Sequence, residues 1–253
     1  MRPSLLLGLI FGLAFSANAA DYCNPRDFLG TYGFQLTGET TISGEPQPAA
    51  TLGRLVFDED GGVSGTSSVK FAGLLLGNPV TGTYEAHRNC SVSWSLQDDS
   101  GGYQHFSGVA TPDSRRVRFR QTDPGGAQEG LLVRTAAQGC KASDLQGKYA
   151  FTLSGNMIPM TEGGAAGTVA GEGVLEEDSH HHFQLTLEGK SPYTTEVAMS
   201  VESDCTVEME FALQKDGTPT AVKLRGILVD AGKEILAIQT DPGAVVSARF
   251  AVK

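Results

Sequence analysis

The run Glu176-Glu177-Asp178-Ser179-His180-His181-His182 concentrates imidazoles and carboxylates in one short stretch. Neutral imidazole and carboxylate oxygen are the ligands that suit zinc or copper. On an extended chain His180 and His182 point the same way, and Glu176 and Asp178 lie nearby across a turn. A complete site would need a further spaced His or Cys pair, and none is present. A solvated polar turn is the plainer reading. No other residues imply a cofactor.

A second charged group is Arg115, Arg116, Arg118 and Arg120. Arg116, Arg118 and Arg120 alternate with Val117 and Phe119, so they share one face of a strand and read either as an anion-binding strip or as an ordinary exposed face. Catalytic arrangements are missing: there is no Gly-x-Ser-x-Gly elbow, phosphate loop or dinucleotide fingerprint, and His87 and His105 stand alone. The formal charge is −10, shared by both halves of the chain. Nucleic acid is therefore not expected as a partner, because its affinity comes largely from concentrated basic charge.

These residues sit in a duplicated framework. Cys23-Asn-Pro-Arg-Asp-Phe-Leu-Gly-Thr-Tyr-Gly-Phe-Gln-Leu-Thr-Gly38 returns as Cys140-Lys-Ala-Ser-Asp-Leu-Gln-Gly-Lys-Tyr-Ala-Phe-Thr-Leu-Ser-Gly155. Gln121-Thr-Asp-Pro-Gly125 returns as Gln239-Thr-Asp-Pro-Gly243. Alternating apolar and polar residues run almost throughout, separated by turn signals such as Asp60-Gly-Gly62 and Asp123-Pro-Gly125. Eight strands are predicted per half, the fourth of them near 82–88 in the first half. The expected fold class is all-β: two tandem eight-stranded antiparallel up-and-down β-barrels, at 21–137 and 138–253, whose closure removes exposed strand edges.

The N-terminus reads as a secretory signal over residues 1–19, with Arg2, an apolar run from Leu5 to Phe15 and a small-residue site at Ala17-Asn18-Ala19. The apolar run is too short for a membrane span, and no later one is expected. A secreted or periplasmic location follows, and four cysteines in such a chain read as disulfides. Cys23 and Cys140 precede the first strands, while Cys90 and Cys205 fall at fourth-to-fifth turns at the same barrel end. That topology favours Cys23–Cys90 and Cys140–Cys205 among the three connectivities.

A barrel of eight strands that opens with Gly30-x-Tyr32 and Gly147-x-Tyr149 resembles the calycin group of lipocalins, fatty-acid-binding proteins and avidins. Lipocalins carry Gly-x-Trp at this place, and Arg134 stands where their closing arginine would be. The resemblance implies a cavity for a small, partly apolar ligand, with Tyr32, Trp94 and Tyr149 as walls. Phe71-Ala-Gly-Leu74-Leu75-Leu76 has no counterpart in the second half and reads as a lid over that cavity or as packing against the other barrel. The expected function is non-enzymatic binding. The alternatives are a structural or protein-interaction module with filled barrels, and an isomerase or cyclase using the cavity. Aligned through the second repeated motif, Arg118 and Arg120 become Leu236 and Ile238. That change of character marks an expected contact between barrels or between subunits.

Overall fold

The computed structural model describes residues 22–253, apart from 43, 146, 161–165, 179–181, 190–191 and 216–217. The predicted signal segment lies outside the described residues. The first barrel comprises β1 (Gly30–Ile42), β2 (Glu45–Phe57), β3 (Gly62–Phe71), β4 (Leu74–Ala86), β5 (Ser91–Asp98), β6 (Tyr103–Ala110), β7 (Arg116–Gln121) and β8 (Gly126–Arg134). The second comprises β9 (Lys148–Met157), β10 (Gly167–Glu177), β11 (Phe183–Leu187), β12 (Tyr193–Val201), β13 (Thr206–Lys215), β14 (Thr218–Val229), β15 (Glu234–Gln239) and β16 (Ala244–Val252). Each set pairs in chain order with antiparallel neighbours, and its last strand returns to its first, so both barrels close. No helix among the described residues is long and apolar enough to cross a membrane.

The lower half of the first barrel is filled with rings. Phe28, on a short 3-10 turn (Pro25–Phe28), stacks on Tyr32 at 5.1 Å and meets Phe57 edge-on at 4.7 Å. The series continues upward through Trp94, which lies 5.2 Å from Phe106 and 4.8 Å from Phe119. An eight-stranded barrel is only wide enough for such side chains or for one small ligand, so these rings are a plug. The second barrel has a mostly aliphatic core, in which Phe151 and Phe250 pack at 4.6 Å.

Both barrels are tied at the base in the same way. Cys23 bonds to Cys90 and Cys140 to Cys205, each pinning the N-terminal segment to the turn before the fifth strand. The hydroxyl of Tyr32 donates to the Ser114 carbonyl at 2.7 Å, and that of Tyr149 donates to the Gly232 carbonyl at 2.6 Å. Arg134 lies over the Tyr32 ring and donates to the Tyr32 hydroxyl and to the Leu29 and Asp27 carbonyls, sealing the first base.

One connection differs from the sequence expectation. Residues 71–76 are not a free loop: β3 runs to Phe71, β4 begins at Leu74, and only Ala72 and Gly73 turn the chain. Both have positive φ (46° and 74°), as a two-residue hairpin turn of the primed type requires. The fourth strand is thus longer than predicted, and a lid over the cavity is replaced by a wall. β1 and β2 likewise stay paired out to Ile42 and Glu45. Pro46 and Pro48 are tolerated there because β2 is an edge beyond the end of β3, whose pairing starts at Ala49.

The barrels share one apolar contact. Ala50, Leu52 and Val133 of the first join the buried cluster that holds Ile227, Val229, Leu236 and Ile238 of the second. Leu236 and Ile238 are fully buried although they face out of their own barrel, while Arg118 and Arg120 are exposed. Gln35, on β1, donates through Nε2 to the carbonyls of both Ala237 (2.7 Å) and Ala248 (3.0 Å). Buried Glu234 accepts from Arg116 and Arg249. Buried Lys70 donates to the carbonyls of Gly73 (3.2 Å), Thr240 (3.2 Å) and Asp241 (2.6 Å). Truncating a buried aliphatic side chain costs about 2–5 kcal/mol. The pair Leu236→Ser with Ile238→Ser should therefore lower unfolding stability by several kcal/mol or split it into two transitions. A single unchanged transition in denaturant would show that this contact does not couple the barrels.

Candidate functional site

Above the ring plug, the inward side of β1, β5, β7 and β8 changes from apolar to mixed. Following Tyr32, Phe34 and Leu36 in steps of two along β1 leads to Gly38 and Thr40. The same step leads from Phe119 to Gln121, from Leu132 through Gly130 to Gln128, and from Trp94 through Leu96 to Asp98. The upper members of these rows, Thr40, Leu96, Asp98, Gln121 and Gln128, line an open-mouthed cavity of about 430 Å³. That volume lies within the ~300–1,000 Å³ that small-molecule sites usually occupy.

The lining has two sides. Val69, Phe71, Leu76, Val80 and Leu96 come from β3, β4 and β5 and form an apolar arc. Gln104, Gln121 and Gln128 come from β6, β7 and β8 and form a carboxamide arc, with Thr40, Thr51, Ser67 and Asn78 adding hydroxyls and one further amide. Tyr103 stands at the rim, exposed and stacked on His105 at 5.9 Å.

The amides are oriented by the repeated Gln-Thr-Asp-Pro-Gly motif. Asp123 Oδ2 accepts from the His105 backbone N–H at 2.7 Å and from Gln121 Nε2 at 3.2 Å. In the second barrel Asp241 accepts from the Lys223 backbone N–H and from Gln239 Nε2, both at 2.9 Å. The motif is thus a structural clamp between the sixth and seventh strands. In the first barrel it goes one step further: Gln128 Nε2 donates to Gln121 Oε1 at 2.9 Å. A carboxylate can only accept, so Asp123 fixes the direction of both amides. Gln128 Oε1 is left buried without a hydrogen-bond partner. Gly126 makes room for this chain, since a Cβ there would come within 2.4 Å of Gln121 Oε1.

The residues expected from sequence to form the site are distributed differently. Tyr32 and Trp94 are buried in the plug below the cavity, and Tyr149 is buried at the base of the second barrel. Phe71 lines the mouth, Leu75 packs against the second barrel's core, and Leu74 is exposed. His180 lies outside the described residues. His182 closes the β10–β11 turn, where its backbone N–H donates to Asp178 Oδ1 at 3.0 Å. Among the described residues no group of three or more His, Cys, Asp or Glu side chains could hold a metal ion. The mouth amides were missed by sequence reasoning. Their signal was present, because the parity that marks the core continues through them.

No protein-family model matches the chain, and no curated protein matches it. Among solved structures, the chain is similar to transferrin binding protein B from serogroup B Neisseria meningitidis, with 9% identity and a TM-score of 0.35. That match covers 88% of this chain and 76% of the other. It is also similar to a protein of unknown function from the DUF3598 family of Nostoc punctiforme, with 13% identity, a TM-score of 0.26 and coverage of 89% and 95%. A porin-like protein from Bacteroides uniformis matches with 10% identity, a TM-score of 0.25 and coverage of 89% and 98%.

The acids of the mouth are held ionised. Burial alone would raise the Asp123 carboxyl, but hydrogen bonds from His105 and Gln121 outweigh it and hold it below the ordinary range. The Ser100 hydroxyl does the same for Asp98, against partial burial and with help from the Gly102 and Ser100 N–H groups. Their stabilisation is therefore complete above about pH 4, the carboxylate value of an unfolded chain, and is lost as pH falls through the lower folded values. Tyr32 has the opposite sign. Burial pushes its phenol up to about 12 despite Arg134, so its contribution is complete below the unfolded value of about 10 and disappears as pH rises through the folded one. The melting midpoint should fall more steeply below about pH 4 in the parent than in Asp123→Asn. Parallel curves would remove Asp123 as a contributor.

Proposed function

We propose that this is an exported, non-enzymatic binding protein that holds one small, partly apolar ligand in the mouth of the first barrel. The observation that carries the reading is the two-sided cavity above a sealed base. The rings of Phe28, Tyr32, Phe57 and Trp94 and the Arg134 hydrogen bonds close the lower end, which leaves one entrance. The apolar arc gives area to bury, and the amides and hydroxyls give orientation, which is the usual division of labour in a small-molecule pocket. The two disulfides suit an oxidising compartment outside the cytoplasm.

The second barrel serves in this reading as the support of the first. Its β14–β16 face is covered by β1 and β2, and its closing turn holds Lys70. A module with two filled barrels is the competing reading, and the open first mouth weighs against it.

Native mass spectrometry of the protein isolated from its own source separates these readings. A bound small molecule should accompany the parent protein and be absent from Ser67→Trp, in which an indole occupies the cavity and the melting midpoint is kept. Parent protein without adduct, or an adduct that survives in Ser67→Trp, would refute the mouth as the site.

A further inference from the structure

Resting on the mouth as the binding site, we propose that its ligand is a neutral, hydroxyl-bearing molecule of saccharide type, free or at the end of a glycan chain, that donates a hydrogen bond to Gln128 Oε1. The argument begins with charge. Among the described residues, the ionisable groups lining the cavity besides Tyr103 are Asp98 and Asp123, and no Lys, Arg or His lines it. A fatty acid, phosphate or other anion would enter against two carboxylates with no cation to receive it. A cation is offered only one open carboxylate oxygen, Asp98 Oδ2. Asp98 Oδ1 already accepts from Ser100 N–H, Ser100 Oγ and Gly102 N–H, and Asp123 is engaged by His105 and Gln121.

Neutral ligands suit this lining, and the open amide acceptor selects among them. Gln128 is 4% exposed, and its Oε1 has no partner. Leaving a buried acceptor unpaired is costly, and buried polar groups in native proteins generally have a partner. The amide cannot relieve this by flipping, because Gln121, itself oriented by Asp123, requires its Nε2. The fold does not need the amide in this place. The second barrel closes the same way with Val246 at the equivalent position, opposite Gly155 as Gln128 is opposite Gly38. Gln128 is therefore an addition specific to the open mouth, and its acceptor asks for an O–H or N–H donor from a ligand.

The shape of the lining narrows the class further. A donor-bearing edge must face β6–β8 while an apolar face lies against Val69, Leu76 and Leu96 on β3–β5. A pyranose ring has that division, with hydroxyls around its edge and C–H groups on its faces. Exposed Tyr103, stacked on His105, offers an aromatic surface for a second ring at the rim.

The test uses the full chain, titrated by calorimetry and by saturation-transfer NMR. The probes are the methyl glycosides of glucose, galactose, mannose and N-acetylglucosamine, their oligosaccharides, and glucuronate and decanoate as anionic controls. At least one neutral glycoside or oligosaccharide should bind saturably, and Gln128→Val should weaken it by about tenfold or more while keeping the melting midpoint. Binding by oligosaccharides alone would place the site on a chain end, whereas binding by monosaccharides would mark a free sugar. Preference for glucuronate or decanoate, indifference to Gln128→Val, or no binding by any neutral probe would overturn the proposal. The mouth itself is judged separately. A source-derived adduct that is lost in Ser67→Trp but proves anionic or lacks hydroxyls would end the saccharide assignment and leave the site standing.

Discussion

Inside a closed barrel of eight strands there is room for one side chain from each strand at each level, and little else. Everything in the first barrel follows from which residue is set inward at each step of two. Rings at the lower levels exclude all other occupants, and shorter amides and hydroxyls at the upper levels leave a hollow. The same constraint acts on the outside. Leu236 and Ile238 are shown outward on β15, so they need a cover, and the outer face of the first barrel supplies it. The two barrels are thus alike in frame and unlike in what they enclose.

The duplication makes that divergence readable. The tyrosine latch, the disulfide at the base and the aspartate clamp between the sixth and seventh strands occur twice with the same partners. These are the parts that both copies need in order to close. Positions where the copies differ have taken other duties. Gln128 against Val246 separates an amide chain from a buried aliphatic position, and Arg118 against Leu236 separates a wetted face from a covered one.

Much of the architecture was legible in the sequence, because alternation of period two and paired cysteines state a local geometry directly. Tyr32, Phe34 and Leu36 give their common face without reference to any partner. The change at positions 236 and 238 likewise pointed outward, and the structure buries both residues. Other features depend on distant chain and could not be read. Gln35 and Lys70 look like ordinary polar residues on outward strand faces until a second barrel lies over them. Residues 71–76 read as a loop because they lack a counterpart, although Gly73 at positive φ lets the strands continue to the turn. The mouth was hidden for a different reason: Gln121 and Gln128 look like the fading end of a strand pattern, and only closure turns them toward one another.

Lys70 gives the β3–β4 hairpin a further meaning. Its ammonium group gathers the carbonyls of Gly73, Thr240 and Asp241, and Gly243 N–H donates to the Gly73 carbonyl at 3.1 Å. The hairpin that carries the apolar side of the first mouth is therefore fastened to the closing turn of the second barrel. A free hairpin tip would have to surrender its motion each time a guest arrived, and that entropy would be subtracted from affinity. Here the motion is surrendered once, when the chain folds. In the proposed binding role the second barrel is a buttress, and what it would contribute is the stillness of a wall that it does not itself form.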